Sequence, residues 1–148
     1  MAAVDVPPET AATLPAASPC RVVDATGHLV LPGLVQSHIH LAQVLFRGHA
    51  EDLPLLPWLE QRIWPFEAAH DDASLSASAR LGIAELLLSG STAALDMGTV
   101  HHTDAIFEAA AAFGYRLTSG KAMMDRGTER GLVESSTVSL RSSIDLAK

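Results

Sequence analysis

The sequence predicts an α/β fold with a parallel sheet. Two observations carry that reading. Apolar strand-like stretches alternate with helix-patterned ones in the order strand, helix, strand, helix, strand, helix, and this alternation implies parallel strands joined by right-handed crossovers. Of the 148 residues, 48% are hydrophobic and 18% charged, with a mean hydropathy of +0.22. That is too apolar and too weakly charged for a wholly disordered chain.

The elements follow in order. Residues 1–20 form an Ala/Pro-rich arm with Pro7, Pro8, Pro15 and Pro19, expected to be flexible because proline lacks the backbone donor that helices and sheets use. Folded sequence is expected from Arg21: over residues 21–32, Val22-Val23, Ala25–His28 and Leu29–Leu31 read as strand, turn, strand. Pro32-Gly33 interrupts, and Leu34–Ile39 reads as the first buried strand, ending in His38 and His40. Residues 41–70 make a long connection with Pro54, Pro57 and Pro65 and a short helix around Trp58–Ile63. Connections of that length are uncommon in compact domains and are often functional.

Asp72 is the expected cap of the next helix, whose apolar face is Leu75, Ala79, Ile83, Leu86 and Leu87, with Gly90 as its stop. Ser91–Met97 is the second strand. Thr103 is the expected cap of the second helix, with Ile106, Ala110 and Phe113 on one face and Gly114 at its end. Tyr115–Met124 reads as the third strand and Glu134–Ala147 as the third helix, with Val138 and Leu146 among its apolar positions.

Composition excludes several functions. Ten Lys+Arg against 17 Asp+Glu give a net charge of −7, which argues against binding the phosphate backbone of a nucleic acid. The single cysteine, Cys20, cannot form an intrachain disulfide. The N-terminus has no basic start or apolar run of a signal peptide. No stretch approaches the ~18 apolar residues of a membrane span, and the run Leu81–Leu88 is interrupted by Glu85. The expected setting is cytoplasmic, without nucleic-acid or membrane partners. No glycine-rich phosphate loop follows a strand, which counts against a nucleotide-binding module.

His38 and His40 are the most informative residues. Side chains two apart on a strand point to the same side, so both imidazoles can reach one metal ion. A bare H-x-H more often has a structural or surface role. Here the pair ends an apolar strand launched by Pro-Gly, the place where parallel barrels keep their catalytic groups.

PGLVQSHIHLAQVLFRG resembles the barrel entry of metal-dependent amidohydrolases, in the branch of cytosine-, guanine- and adenosine-type deaminases and chlorohydrolases. LPWLEQRIWPFEAAH, SGSTAALDM and VHHTD continue the resemblance in the same order. They look most similar to deaminases of 5'-deoxyadenosine, methylthioadenosine and S-adenosylhomocysteine. The likeness runs from about Val22 to Asp125. It implies a (β/α)8 TIM barrel with a small β-sandwich. Residues 33–148 would then be the first three strand–helix units and 21–32 a sandwich remnant.

The resemblance implies that His38 and His40 are metal ligands, holding one divalent ion, zinc or else iron. It implies that Glu67, in WPFEAAH, binds substrate hydroxyls. The alternative for Glu67 is a solvated residue before a helix. No catalytic acid or base is assigned. The implied reaction is hydrolysis of a carbon–nitrogen bond, most closely deamination of an aminopurine nucleoside by a metal-activated water. A small-molecule substrate and a homo-oligomeric full-length form follow from the same likeness.

Other residues stay open on sequence alone. His101 and His102 are adjacent and face opposite ways on extended chain; either lines the pocket or is a loop histidine. Asp96 either orients a ligand histidine or makes a strand-end hydrogen bond. Trp58 and Trp64 either wall a purine pocket or pin the long loop. Lys121 lies on the third strand, whereas the family's bridging lysine belongs to the fourth, so it is not assigned to a metal. The family's later histidines, aspartate and acid glutamate have no counterpart here, and a full barrel needs about 250 residues. The expectation is therefore a truncated, N-terminal part, inactive alone. The alternatives are a non-catalytic fragment that self-associates, or a chlorohydrolase or other cyclic-amidine hydrolase.

Overall fold

A computed structural model describes residues 23–129 and 131–148. The arm over 1–20, Cys20 and Val22 lie outside the described residues. The chain divides into two compact units, Met1–Pro32 and Gly33–Lys148.

In the first unit the expected turn is present at Thr26–Gly27. The His28 N–H donates to Ala25 O at 2.9 Å, and the Thr26 N–H donates to Asp24 Oδ1 at 2.9 Å. The expected flanking strands are not formed among residues 23–32. A lone two-stranded hairpin is marginal in water, and Val23, Leu29, Val30 and Leu31 are all exposed.

The second unit holds a three-stranded parallel sheet in the order β1 (Leu34–Ile39), β2 (Ser91–Asp96), β3 (Arg116–Thr118). Among the described residues five α-helical segments accompany it: α1 (Leu55–Trp58), α2 (Trp64–Ala68), α3 (Asp72–Leu88), α4 (Thr103–Phe113) and α5 (Ser136–Leu146). The alternation β1-α3-β2-α4-β3-α5 is the one the sequence predicts.

α3 begins one residue earlier in its capping than expected. Asp71, not Asp72, is the N-cap: its carboxylate accepts from the Ser74 N–H at 2.8 Å, and the Ser74 hydroxyl accepts from the Asp71 N–H at 3.0 Å. Leu75, Ala79, Ile83 and Leu86 are buried, whereas Leu87 turns out to solvent, one position past the apolar stripe. The core joins these residues to Leu41 and Ala42, to Ala94 of β2, and to Ala105, Ile106, Ala109 and Ala110 of α4. Burying each leucine or isoleucine contributes about 1.5–3 kcal/mol. The alanines let α3 and α4 approach closely.

The N-cap position of α4 is held by His102, whose φ is 61° and whose side chain makes no capping bond, and not by Thr103. Thr103 is the first helical residue, and its hydroxyl donates to Thr99 O at 3.1 Å. Phe113 lies at the edge of the core, with the Arg80 guanidinium 5.4 Å from its ring centre. β3 stops at Thr118, well short of Met124, because the Ser119 hydroxyl turns to Asp96. There the strands also close in. A Cβ on Gly98 (φ 75°) would stand 1.7 Å from Gly120 O, so only glycine fits. A single bridge, Thr99 to Lys121, continues the pairing. α5 starts after Ser135, whose hydroxyl accepts from the Val138 N–H at 3.3 Å, so Glu134 lies outside it.

The long connection contains more helix than its prolines suggest. A 3-10 segment, Leu41–Phe46, follows β1. The helical stretch runs from Leu55 to Ala68 instead of only Trp58–Ile63, with a π segment over Leu59–Ile63. Pro57 falls in the first turn of α1, where no N–H partner is required. Pro65 cannot donate to Gln61 O, and its ring would crowd that carbonyl. The π segment widens the helix there: the Trp64 N–H donates to Leu59 O, five residues back, and Arg62 Nη1 donates to Gln61 O at 3.1 Å.

Candidate metal centre and substrate site

β1 carries His38 and His40 to its C-terminal end. Their Nε2 atoms stand 3.1 Å apart, with the ring centres 5.0 Å apart and the planes at 73°. Two imidazole nitrogens bound at about 2.0–2.1 Å to one tetrahedral ion lie roughly 3.3 Å apart, so this donor pair fits zinc or a similar ion. Burial pushes the His40 imidazole below its ordinary value, and His38 adds to the shift while Asp96 opposes it. A neutral imidazole keeps the lone pair a metal requires. Among the described residues no third histidine, cysteine or carboxylate completes a cluster of three.

The 3-10 segment connects this pair to Glu67. Gln43, three residues beyond His40, places its Nε2 3.3 Å from His40 Nδ1 and donates to Glu67 Oε1 at 2.9 Å. Glu67 is half-buried on α2. Burial pushes its carboxyl above the ordinary value, the Gln43 bond pulls it back, and the negative Asp96 adds to the rise. Gln43 was not singled out by sequence reasoning. Its spacing of three from His40 on a helical turn is the signal that points to it.

His70 anchors the same segment from behind. Its Nε2 donates to Ala42 O at 2.8 Å, Nδ1 lies 2.9 Å from Ser74 Oγ, and its ring stacks on Phe46. Ser78, fully buried, donates to Leu41 O at 2.7 Å.

The other candidates are drawn elsewhere. Asp96 makes no hydrogen bond to either imidazole; it accepts from the Leu41 N–H, the Gly98 N–H and the Ser119 hydroxyl. The His101 Nε2 donates to Gly131 O at 2.9 Å, while His102 Nδ1 lies 2.7 Å from Asp72 Oδ1, so the two part company. The Lys121 ammonium donates to Val100 O and pairs with Glu134 at 2.8 Å. Trp58 and Trp64, both half-buried, flank the π segment.

The family assignment rests on length of match. The sequence profile described as the amidohydrolase family matches residues 29–147. The chain belongs to the amidohydrolase family. Among curated relatives, the 5'-deoxyadenosine deaminase of Methanothermobacter thermautotrophicus is 40% identical over 127 residues, covering 86% of this chain and 28% of the relative. The 5-methylthioadenosine/S-adenosylhomocysteine deaminase of Halobacterium salinarum is 49% identical over 77 residues, covering 52% and 18% respectively. Among solved amidohydrolase folds, the guanine deaminase of E. coli superposes with a TM-score of 0.72 at 37% identity, over 78% of this chain and 27% of that one. A zinc-bound adenosine deaminase from Xanthomonas campestris gives 0.67 at 33% identity, over 78% and 26%. The chain thus spans between about a fifth and a quarter of the length of these relatives, and its sheet corresponds to part of their barrel.

Proposed function

We propose that this chain supplies the metal-binding corner of a hydrolase that removes the amino group of an aminopurine nucleoside. The observation that carries the proposal is the convergence of His38 and His40 Nε2 at 3.1 Å, joined through Gln43 to a half-buried Glu67. The deaminases to which the chain is 40–49% identical support the substrate class, and the zinc-bound adenosine deaminase supports zinc as the ion. When bound, such an ion lowers the pKa of a water to about 7 and makes a nucleophile available at neutral pH.

The residues divide the work. His38 and His40 hold the ion through Nε2. Glu67 accepts hydrogen bonds from substrate hydroxyls, and Gln43 keeps its carboxylate facing the histidines. Burial makes those bonds stronger than they are in water.

The test has two arms. Zinc titration of the chain by calorimetry should show binding that His38→Ala and His40→Ala each abolish and Glu67→Gln leaves intact. In the second arm this segment replaces the matching 127 residues of the Methanothermobacter 5'-deoxyadenosine deaminase. The chimera should release ammonia from 5'-deoxyadenosine, and Glu67→Gln should impair turnover with metal content unchanged. Zinc binding that survives both alanine variants refutes the ligand assignment. A folded, zinc-loaded chimera that expels chloride from a chlorotriazine but no ammonia refutes the deaminase reading.

A further inference from the structure

The histidine-bearing end of β1 is out of simple register with β2. Gln36 pairs with Ala94 and Ile39 with Asp96, so three steps along β1 match two along β2. An extra residue of this kind bends the strand, interrupts the ladder and re-aims side chains. The ladder therefore does not by itself hold the backbone that carries His38. Two bonds recapture the chain beyond the bulge. The Met97 N–H donates to Ile39 O at 2.8 Å, and the Leu41 N–H donates to Asp96 Oδ1 at 2.8 Å. The second bond grips the peptide that joins His40 to Leu41.

Asp96 is 4% exposed and takes two further donors on Oδ2, the Gly98 N–H at 2.9 Å and the Ser119 hydroxyl at 2.7 Å. A single carboxylate thus ties the C-terminal ends of all three strands. We infer that Asp96 is a positioning residue that aims the imidazole pair, by fixing the His40–Leu41 peptide behind the bulge. Every group facing it is a donor, so the site demands an acceptor-only side chain. Asparagine has the same shape but sets an NH2 against a backbone N–H in either orientation. The Ser119 hydroxyl can rotate to accept; the Leu41 and Gly98 amides cannot.

Where it concerns metal affinity, the inference rests on the proposed ligand roles of His38 and His40, so the test includes a readout without metal. The chain is compared with Asp96→Asn, Asp96→Ser and Ser119→Ala. Three quantities are measured: the ring-to-ring nuclear Overhauser contact between His38 and His40 in metal-free protein, cobalt(II) affinity by absorbance titration, and the thermal midpoint. Ser119→Ala should melt lower yet keep the ring contact and bind cobalt within twofold of the parent. Both Asp96 variants should lose the ring contact and bind cobalt 10- to 100-fold more weakly, the range typical of groups that orient metal ligands. If Asp96→Asn does not fold, Asp96→Ser carries the comparison, since its shorter acceptor can serve Gly98 but not Leu41. A folded Asp96 variant with the ring contact and cobalt affinity intact overturns the inference. So does a loss that tracks the thermal midpoint across all three variants. A parent chain that shows the ring contact but binds no cobalt refutes the ligand reading alone, and the ring contact still decides the role of Asp96.

Discussion

Replacing Gly82 by alanine sets two effects of opposite sign against each other. In an exposed helix interior the change stabilises by about 0.8–1 kcal/mol, because glycine loses more backbone freedom than alanine. Gly82 is buried, however, and an added Cβ would lie 2.8 Å from Leu41 Cδ2 and 2.9 Å from Val44 Cγ2. Both contacts are inside van der Waals distance. Neither neighbour yields easily: Leu41 is 0% exposed and hemmed in by the core, and Val44 is β-branched and stiff. Overpacking of this kind costs typically 1–3 kcal/mol. The balance is a net destabilisation of about 1 kcal/mol, a fall in melting temperature of roughly 3 °C for a chain this long. Thermal unfolding followed by circular dichroism measures it. A rise in melting temperature would mean that propensity acts unopposed, and that the segment after His40 does not pack on α3 as described.

Two further outcomes concern pH and charge. Burial raises the Glu67 carboxyl above its ordinary 4.5, so its contribution to stability is fully present below that value and lost as pH rises through the raised one; Glu67→Gln should match the parent near pH 4 and melt higher at pH 7, and a lower melting temperature at pH 7 than at pH 4 relative to the parent would contradict this. Burial works against the Glu134 carboxylate, but Lys121 and Ser139 outweigh it and hold the carboxyl below 4.5, so that stability is present above 4.5 and lost as pH falls through the lowered value. Lys121→Met removes this ion pair while the Ser139 hydroxyl and His101 stay beside the carboxylate, and should cost about 1.5 kcal/mol, read by denaturant unfolding at pH 7, with Glu134→Gln added to the same chain restoring part of the loss.

The strands and principal helices were legible because their periods are unambiguous. Leu75, Ala79, Ile83 and Leu86 repeat at helical spacing, and Pro32-Gly33 marks the start of Leu34–Ile39, although the expectation of a buried strand fails there, since Leu34 and Val35 are exposed. Cap residues were harder to place. Asp71 and Asp72 are chemically equal candidates, and only the reciprocal bond with Ser74 selects the first. His102 is not a residue that sequence rules place at an N-cap, and its side chain turns not to the helix end but to a distant partner, Asp72. The third strand was read too long because its end is decided by Ser119 turning to Asp96, 23 positions earlier. Among the site residues, His38 and His40 follow from strand alternation, although the bulge that aims them leaves no mark in the hydrophobic pattern. The Gln43–Glu67 bond and the strand-tying role of Asp96 depend on contacts between segments far apart in sequence.

The π segment over Leu59–Ile63 amounts to one residue more than a regular helix would hold between Trp58 and Trp64. Deleting a single position there would restore ordinary winding and turn everything before it by about 100° relative to everything after. Glu67 lies on the far side, fastened by Gln43, and would stay in place while Leu55, Leu56 and Trp58 swing to a new heading. The heading of that apolar segment and the position of the Glu67 carboxylate can thus be varied separately. A one-residue length change at this point is a coarse dial for where those three side chains lie, and it leaves the Gln43–Glu67 link untouched.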